Sequence, residues 1–318
     1  MRGDGQTEFE TDGDVTWARV KINASTNLEN IVAIRGNYYT MVALTADNKV
    51  YTWGERTLAG SENVATQAKR YYATEMTLPG ATPIKMIGVA NNGTSSNSAT
   101  YYILYLNGKL FAMGNNQRKQ LGDFTSTASP SSSARRWVHC QYTSDPADTM
   151  NDIRWISPGE HDPKYPAISV INHDARLYSW GSNASHMLGR SNDANGTGAF
   201  DPGQPLESDP FFPLSSYVIA VETGGHTTMI TQECQDKFGY VGHAVNGSAG
   251  STGSTQYQTY TFSTAPIRIC GANTNTNIEY AILPLKGNSD KFCSDQEVML
   301  QGLPAGGVFT IISGPGVL

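Results

Sequence analysis

Short apolar runs separated by polar, glycine-bearing turns recur four times along this chain, each time in the same order. In the first unit Ile31-Val-Ala-Ile34 leads to Gly36, Tyr39 to Leu44 forms a second run, Asp47-Asn48 turns, and Lys49 to Gly54 closes the unit. The second unit has Ile84-Lys-Met-Ile87, Gly93, Tyr101 to Leu106, Asn107-Gly108 and Lys109 to Gly114. The third has Ile153-Arg-Trp-Ile156, Gly159, Ala167 to Ile171, His173-Asp174 and Arg176 to Gly181. The fourth has Val218-Ile-Ala-Val221, Gly224-Gly-His-Thr227, Thr228-Met-Ile230, Gln235-Asp236 and Phe238 to Gly242. Apolar strands flanking an Asn-Gly or similar two-residue turn signal antiparallel hairpins, so each unit predicts three strands.

A fourth, looser strand is predicted between units, at Val15–Ile22, Tyr71–Met76, Arg136–Tyr142 and Tyr260–Thr264. No helical period runs through the chain. The closing glycines Gly54, Gly114, Gly181 and Gly242 lie 60, 67 and 61 residues apart. Four short strands at such a period predict an all-β chain, a β-propeller of four-stranded blades with about four full units, because a radial array leaves only short, protected strand edges. The expected organisation is an N-terminal tail (1–14), a propeller repeat domain (15–270), a linker (271–290) and a separate C-terminal segment (291–318).

The repeated positions are expected to build the blades. Trp53 and Trp180 fill space between them, and Gly54, Gly114, Gly181 and Gly242 permit a bulge or a close backbone approach. Function in a repeat scaffold is sought in its unequal segments. Gly54 to Tyr71, Gly114 to Arg136, Gly181 to Tyr217 and Gly242 to Gln256 are rich in Ser, Asn, Gly and Thr and read as long loops. Deleting 182–210 is accordingly expected to weaken binding and leave the ring folded. Among the aromatics between units, Trp137, Tyr71, Tyr72, Tyr257 and Tyr260 are the candidates for stacking on a ligand.

Composition removes several classes. Charged residues are 16% of the chain, the net charge is −6, and no basic run exceeds Arg135-Arg136, which leaves no electrostatic footprint for nucleic acid. No apolar stretch approaches the roughly 18 to 20 residues that a membrane-spanning helix requires, so no membrane insertion is expected. The first residues lack the apolar core of a signal peptide. Cys140, Cys234, Cys270 and Cys293 form no CxxC pair, and four cysteines admit three pairings among which the sequence does not choose.

Candidate chemistry is sparse. The acidic run Asp4, Glu8, Glu10, Asp12 and Asp14 offers oxygen ligands without the spacing of a calcium loop, and is read as a solvated tail. Arg2-Gly3-Asp4 spells an integrin tripeptide by chance. Asn23, Asn92, Asn183, Asn195 and Asn246 begin Asn-x-Ser/Thr sequons and are read as turn residues. Gly247 to Gly253 is glycine-rich with no strand-to-helix context and reads as a loop. No hydrolase, zincin, phosphate-loop or dinucleotide signature is present, so no catalytic residue, cofactor or metal ligand is assigned. Paired carboxylates remain open, because they need only meet in space.

Thr40-Met-Val-Ala-Leu44, Lys49-Val-Tyr-Thr-Trp-Gly54, Gly224-Gly-His226-Thr and the tags Gln120-Leu-Gly122 and Met187-Leu-Gly189 together resemble the regulator-of-chromosome-condensation propeller repeat, over about residues 15 to 265. The family position of His226 implies hydrogen bonding between neighbouring blades rather than catalysis. Phe292 to Phe309, followed by Ser313-Gly-Pro-Gly316, resembles the opening of an immunoglobulin-like repeat of the kind found in large modular surface adhesins of gliding bacteria. These resemblances imply a non-enzymatic, extracellular or cell-surface module that binds protein or polysaccharide through polar loops. An intracellular scaffold of nucleotide-exchange or signalling type and a secreted lectin or glycan-processing propeller are the alternatives.

Overall fold

The computed structural model describes residues 3–5, 17–60, 68–90, 99–128, 137–160, 165–190, 198–205, 218–232, 238–243 and 256–262. They form four antiparallel four-stranded sheets, each running in chain order from its innermost to its outermost strand. Blade 1 is β1 (Ile31–Gly36), β2 (Thr40–Thr45), β3 (Val50–Thr57) and β4 (Ala68–Glu75). Blade 2 is β5 (Ile84–Ala90), β6 (Thr100–Tyr105), β7 (Leu110–Gly114) and β8 (Val138–His139). Blade 3 is β9 (Ile153–Pro158), β10 (Ala167–Asn172), β11 (Leu177–Ser182) and β12 (Ala199–Gly203). Blade 4 is β13 (Val218–Gly224), β14 (Thr227–Gln232), β15 (Phe238–His243) and β16 (Gln256–Phe262). The innermost strands pack in succession, β1 on β5, β5 on β9 and β9 on β13. This is the β-propeller architecture.

Both faces of each blade are apolar, so alternation within a strand sends side chains to two different neighbours. Val42 and Leu44 meet Ile84, Ile87 and Tyr101 between blades 1 and 2. Leu104, Leu110, Ile153, Ile156 and Trp180 fill the space between blades 2 and 3. Ile171, Leu177, Val218, Val221, Ile230 and Tyr260 do so between blades 3 and 4. The outer face of blade 1, with Trp53 and Tyr51, is covered by Val20, Ile22 and Leu28.

At the end of each third strand the chain needs a residue without a side chain. Gly54, Gly114, Gly181 and Gly242 all have positive φ, and a Cβ on them would lie 2.3, 2.0, 2.6 and 2.1 Å from the carbonyl oxygens of Tyr39, Ala99, Pro166 and His226. The ladder to the fourth strand slips at Gly54, Gly181 and Gly242, a bulge that lets the next main-chain N–H of blades 1, 3 and 4 turn back. Glu55, Ser182 and His243 thereby donate to Tyr39, Pro166 and His226 at 2.8, 2.8 and 2.9 Å.

Three expectations need correction. The Val15–Ile22 strand is reduced, over its described residues, to a bridge between Lys21 and Asn27. It bonds to blade 1 from outside, Ala73 N–H donating to Lys21 O at 2.8 Å. Gly3 to Gly5 do not belong to a solvated tail: Asp4 bridges Tyr72, and Gly5 N–H donates to Tyr71 O at 3.0 Å. The supposed loop from Gly181 to Tyr217 contains a 3-10 turn (Ala184–His186), buried Met187 and Leu188, and the whole of β12. That strand escapes sequence reading because Ala199-Phe-Asp-Pro-Gly has no apolar alternation. The linker 271–290 and the immunoglobulin-like segment 291–318 lie outside the described residues.

Candidate functional site

The innermost strands carry single charges at repeated positions and bring them together where the blades converge. Lys85 and Arg154 are each the second residue of their first strand, in Ile84-Lys and Ile153-Arg. Arg35 and Glu222 are each the fifth, in Ile31-Val-Ala-Ile-Arg and Val218-Ile-Ala-Val-Glu. Glu160 follows β9. Arg35 Nε stands 3.7 Å from Glu160 Oε1, joining blade 1 to blade 3 across the centre. Blade 3 holds blade 4 through β9: Arg154, 3% exposed, donates to Val218 O at 2.6 Å, and Trp155 Nε1–H donates to Val221 O at 3.2 Å. Ser157 Oγ–H donates to Glu222 at 3.0 Å and accepts from Thr223 N–H at 2.7 Å.

Burial sets the electrostatics here. It pushes the Glu160 carboxyl up to about 7 from its ordinary value, an effect that Arg35 opposes and Glu222 reinforces. Burial, with Arg154 nearby, lowers Lys85. Because the folded state holds a proton that the unfolded chain releases near its ordinary 4.5, Glu160 makes stability fall as pH rises from about 4.5 to about 7. With the side chain 32% exposed, screening leaves an effect of about 1 kcal/mol. Glu160→Gln is expected to flatten that part of the profile in urea titrations between pH 5 and 8; a variant curve parallel to the wild type would rule the assignment out.

Sequence reading missed these central residues because each charge is isolated in its own strand. The usable signal was one charge in or just after the first apolar run of each unit, second in its strand at Lys85 and Arg154 and fifth at Arg35 and Glu222. As chemistry, the cluster offers a salt bridge and hydrogen-bonding groups. Ser157 pairs with a carboxylate and a main-chain N–H, without a histidine base. Among the described residues no group of three or more His, Cys, Asp or Glu is placed to hold a metal, and no helix is long and apolar enough to cross a membrane.

The five aromatic ligand candidates sit in three different blades. Tyr71 and Tyr72 are half-buried on β4. Trp137, also half-buried, donates its indole N–H to Thr77 O at 2.7 Å and packs on the core between blades 1 and 2. Tyr257 lies edge-on to Tyr240, with ring centres 5.0 Å apart. Tyr260 is 2% exposed, which leaves its ring no face for a ligand.

Trp53 and Trp180 are buried, and Trp180 donates to Gln120 O at 3.0 Å. His226 is half-buried, its ring 5.4 Å from that of Tyr165 in the neighbouring blade and its carbonyl bonded to His243 N–H. Asn183 is buried, accepting from Leu188 N–H at 2.9 Å, and Asn23 accepts from Ser25 and Thr26 N–H in an exposed turn. Asn92, Asn195, Asn246 and the acidic residues from Glu8 to Asp14 lie outside the described residues.

Cys140 is a free thiol buried between blades 2 and 3, donating to Leu121 O at 3.3 Å. Burial raises its titration far above the ordinary range. Every two-bridge pairing of the four cysteines would use Cys140, so this geometry is incompatible with a two-disulfide framework.

No protein-family model and no curated protein matches the chain. Among solved structures, human WBSCR16 is similar with a TM-score of 0.57 and 14% identity over 84% of this chain and 61% of that one. Prp20p from Saccharomyces cerevisiae overlaps with a TM-score of 0.49 at 16% identity, over 67% of this chain and 43% of that one. The WD40 domain of SCAP from fission yeast overlaps at 0.35 and 9%, over 67% and 49%. The chain thus spans about three fifths of WBSCR16, with which it shares a fold.

Proposed function

We propose that this chain is a non-enzymatic, protein-binding propeller scaffold whose partner contacts the centre of the propeller around Arg35 and Glu160. One observation carries the reading: the repeated polar groups are engaged in holding blades together, while Arg35 keeps an exposed side chain at the centre. Trp180 bonds to Gln120 O, Thr228 to Met187 O and Arg154 to Val218 O, each across a blade boundary. Arg35 retains 46% side-chain exposure.

A charge reversal at Arg35 tests this. The expected result is that Arg35→Glu keeps a single cooperative melt, lowered only by the roughly 1 kcal/mol that a part-exposed ion pair contributes, and loses at least tenfold in affinity for whichever purified partner wild-type protein binds saturably. Catalytic turnover by wild-type protein in esterase, glycosidase and phosphatase assays, scaling with its concentration, would sink the non-enzymatic reading.

An intracellular scaffold of nucleotide-exchange type is the second reading. The repeat motifs of this chain resemble the regulator-of-chromosome-condensation propeller, and Prp20p binds Gsp1p and histones. The buried thiol of Cys140 favours this compartment over a disulfide-stapled secreted one. Acceleration of labelled GDP release from a small GTPase would support it. The adhesin reading rests on the repeats, the polar loop composition and the immunoglobulin-like resemblance of residues 291–318, which lie outside the described residues.

A further inference from the structure

Residues 3–5 and 17–28 repeat hydrogen bonds of the stretch that closes blade 2 and leads into blade 3. There, Met150 N–H donates to Cys140 O and Gln141 N–H to Gly122 O, both at 2.8 Å, and Gln141 bridges Thr149. Near the N-terminus, Leu28 N–H donates to Val20 O and Lys21 N–H to Gly3 O, both at 2.8 Å, and Lys21 bridges Asn27. Gly122, at φ +67°, lies against Trp180 of the following blade; Gly3, at φ +83°, lies against Trp53 of the blade that follows it. Gly3 and residues 17–22 are therefore the tag and the outer strand of a blade preceding blade 1.

The two copies differ in what lies beside them. In blade 2 the outer strand pairs with β7, Cys140 N–H donating to Leu110 O at 3.0 Å. The described residues contain no such inner strand for residues 17–22, and exposure follows. Trp17, the counterpart of Trp137, is fully exposed. The first-strand pairs that face a preceding blade, Ile84 and Ile87, Ile153 and Ile156, Val218 and Val221, are at most 9% exposed. Their counterparts Ile31 and Ile34 are 40% and 52% exposed. At the other end of the arc, Met229, Phe238 and Tyr257 are half-buried around Tyr240 on the face of blade 4 turned away from blade 3.

We propose that the slot between Ile31 and Ile34 on blade 1 and Met229, Tyr240 and Tyr257 on blade 4 takes the inner strands of a further blade, supplied by the chain that follows β16, with residues 17–22 as its outer strand. Three facts select this occupant. Blades 1 to 3 are each followed in sequence by the one that packs on their next face, and no described strand packs on that face of blade 4. The inner strands of blades 1 and 2 lie within Ile31–Gly54 and Ile84–Gly114, and residues 263–318 offer more chain than either. A second copy has no three-stranded sheet to offer, because every described sheet already has four strands.

Photo-crosslinking in the full chain decides the matter. With p-benzoylphenylalanine in place of Ile34, irradiation of dilute protein is expected to give intrachain adducts that map by mass spectrometry to residues 263–318. Hydrogen exchange on wild-type protein gives a second measurement: the amide of Val20, counterpart of the bonded Cys140 amide, is expected to be protected at least a hundredfold. Adducts to a second copy or to a co-purifying protein, or no adduct together with free exchange at Val20, would overturn the proposal.

Discussion

Deletion of residues 182–210 is expected to abolish cooperative folding of blades 3 and 4. The segment carries β12, the outer strand of blade 3, and it carries Met187 and Leu188, both fully buried. Thr228 Oγ1–H of blade 4 donates to Met187 O at 2.8 Å, and Ser179 Oγ–H of blade 3 donates to Leu188 O at 2.9 Å. Removing the acceptors leaves buried hydroxyls at a blade boundary, each costing about 1 to 3 kcal/mol. Losing Leu188 and Met187 from the core costs about 2 to 5 kcal/mol apiece. The total approaches the whole stability of a domain, about 5 to 15 kcal/mol. Circular dichroism melts should show a broad or missing transition in place of the wild-type one. A deletion variant that melted sharply near the wild-type temperature would show that blade 3 does not need its outer strand.

Gly114→Ala is the second large effect. A Cβ at this position would lie 2.0 Å from Ala99 O and 2.8 Å from Thr100 Cα, both backbone atoms, and φ is +130°. No rotamer change relieves a clash with main chain, so β6 and β7 must separate at Thr100 and Gly114. Steric strain and the disfavoured φ together are expected to cost about 3 kcal/mol or more. Gly159→Ala is the matched control: its nearest neighbour would be 3.4 Å away, its φ lies outside the left-handed range, and an effect within about 0.5 kcal/mol is expected. Urea midpoints at constant slope measure both. Equal midpoints for the two variants would mean that the close approach at Gly114 is relaxed in solution.

Much of the fold was legible because propeller blades are built from local hairpins. The first three strands of every unit follow apolar alternation and turn chemistry a few residues apart, as in Tyr101 to Gly114 with its Asn107-Gly108 turn. Fourth strands were harder. β8 has two residues, and β12 is Ala-Phe-Asp-Pro-Gly, so their pairing is set by what the third strand offers rather than by their own pattern. The central charges were harder still, since Arg35, Glu160 and Glu222 lie far apart in sequence and meet only because first strands converge on an axis.

By itself the sequence determined the repeat, the strand class and the places where only glycine fits, because each depends on neighbours within one hairpin. Tertiary structure alone decided which side chains face which blade, that Arg35 meets Glu160, that Met187 and Leu188 are core, and that Gly3 and residues 17–28 repeat the bonding found where blade 2 meets blade 3. Those facts depend on how separate sheets stack, and stacking is governed by the summed burial of two faces brought together from distant parts of the chain.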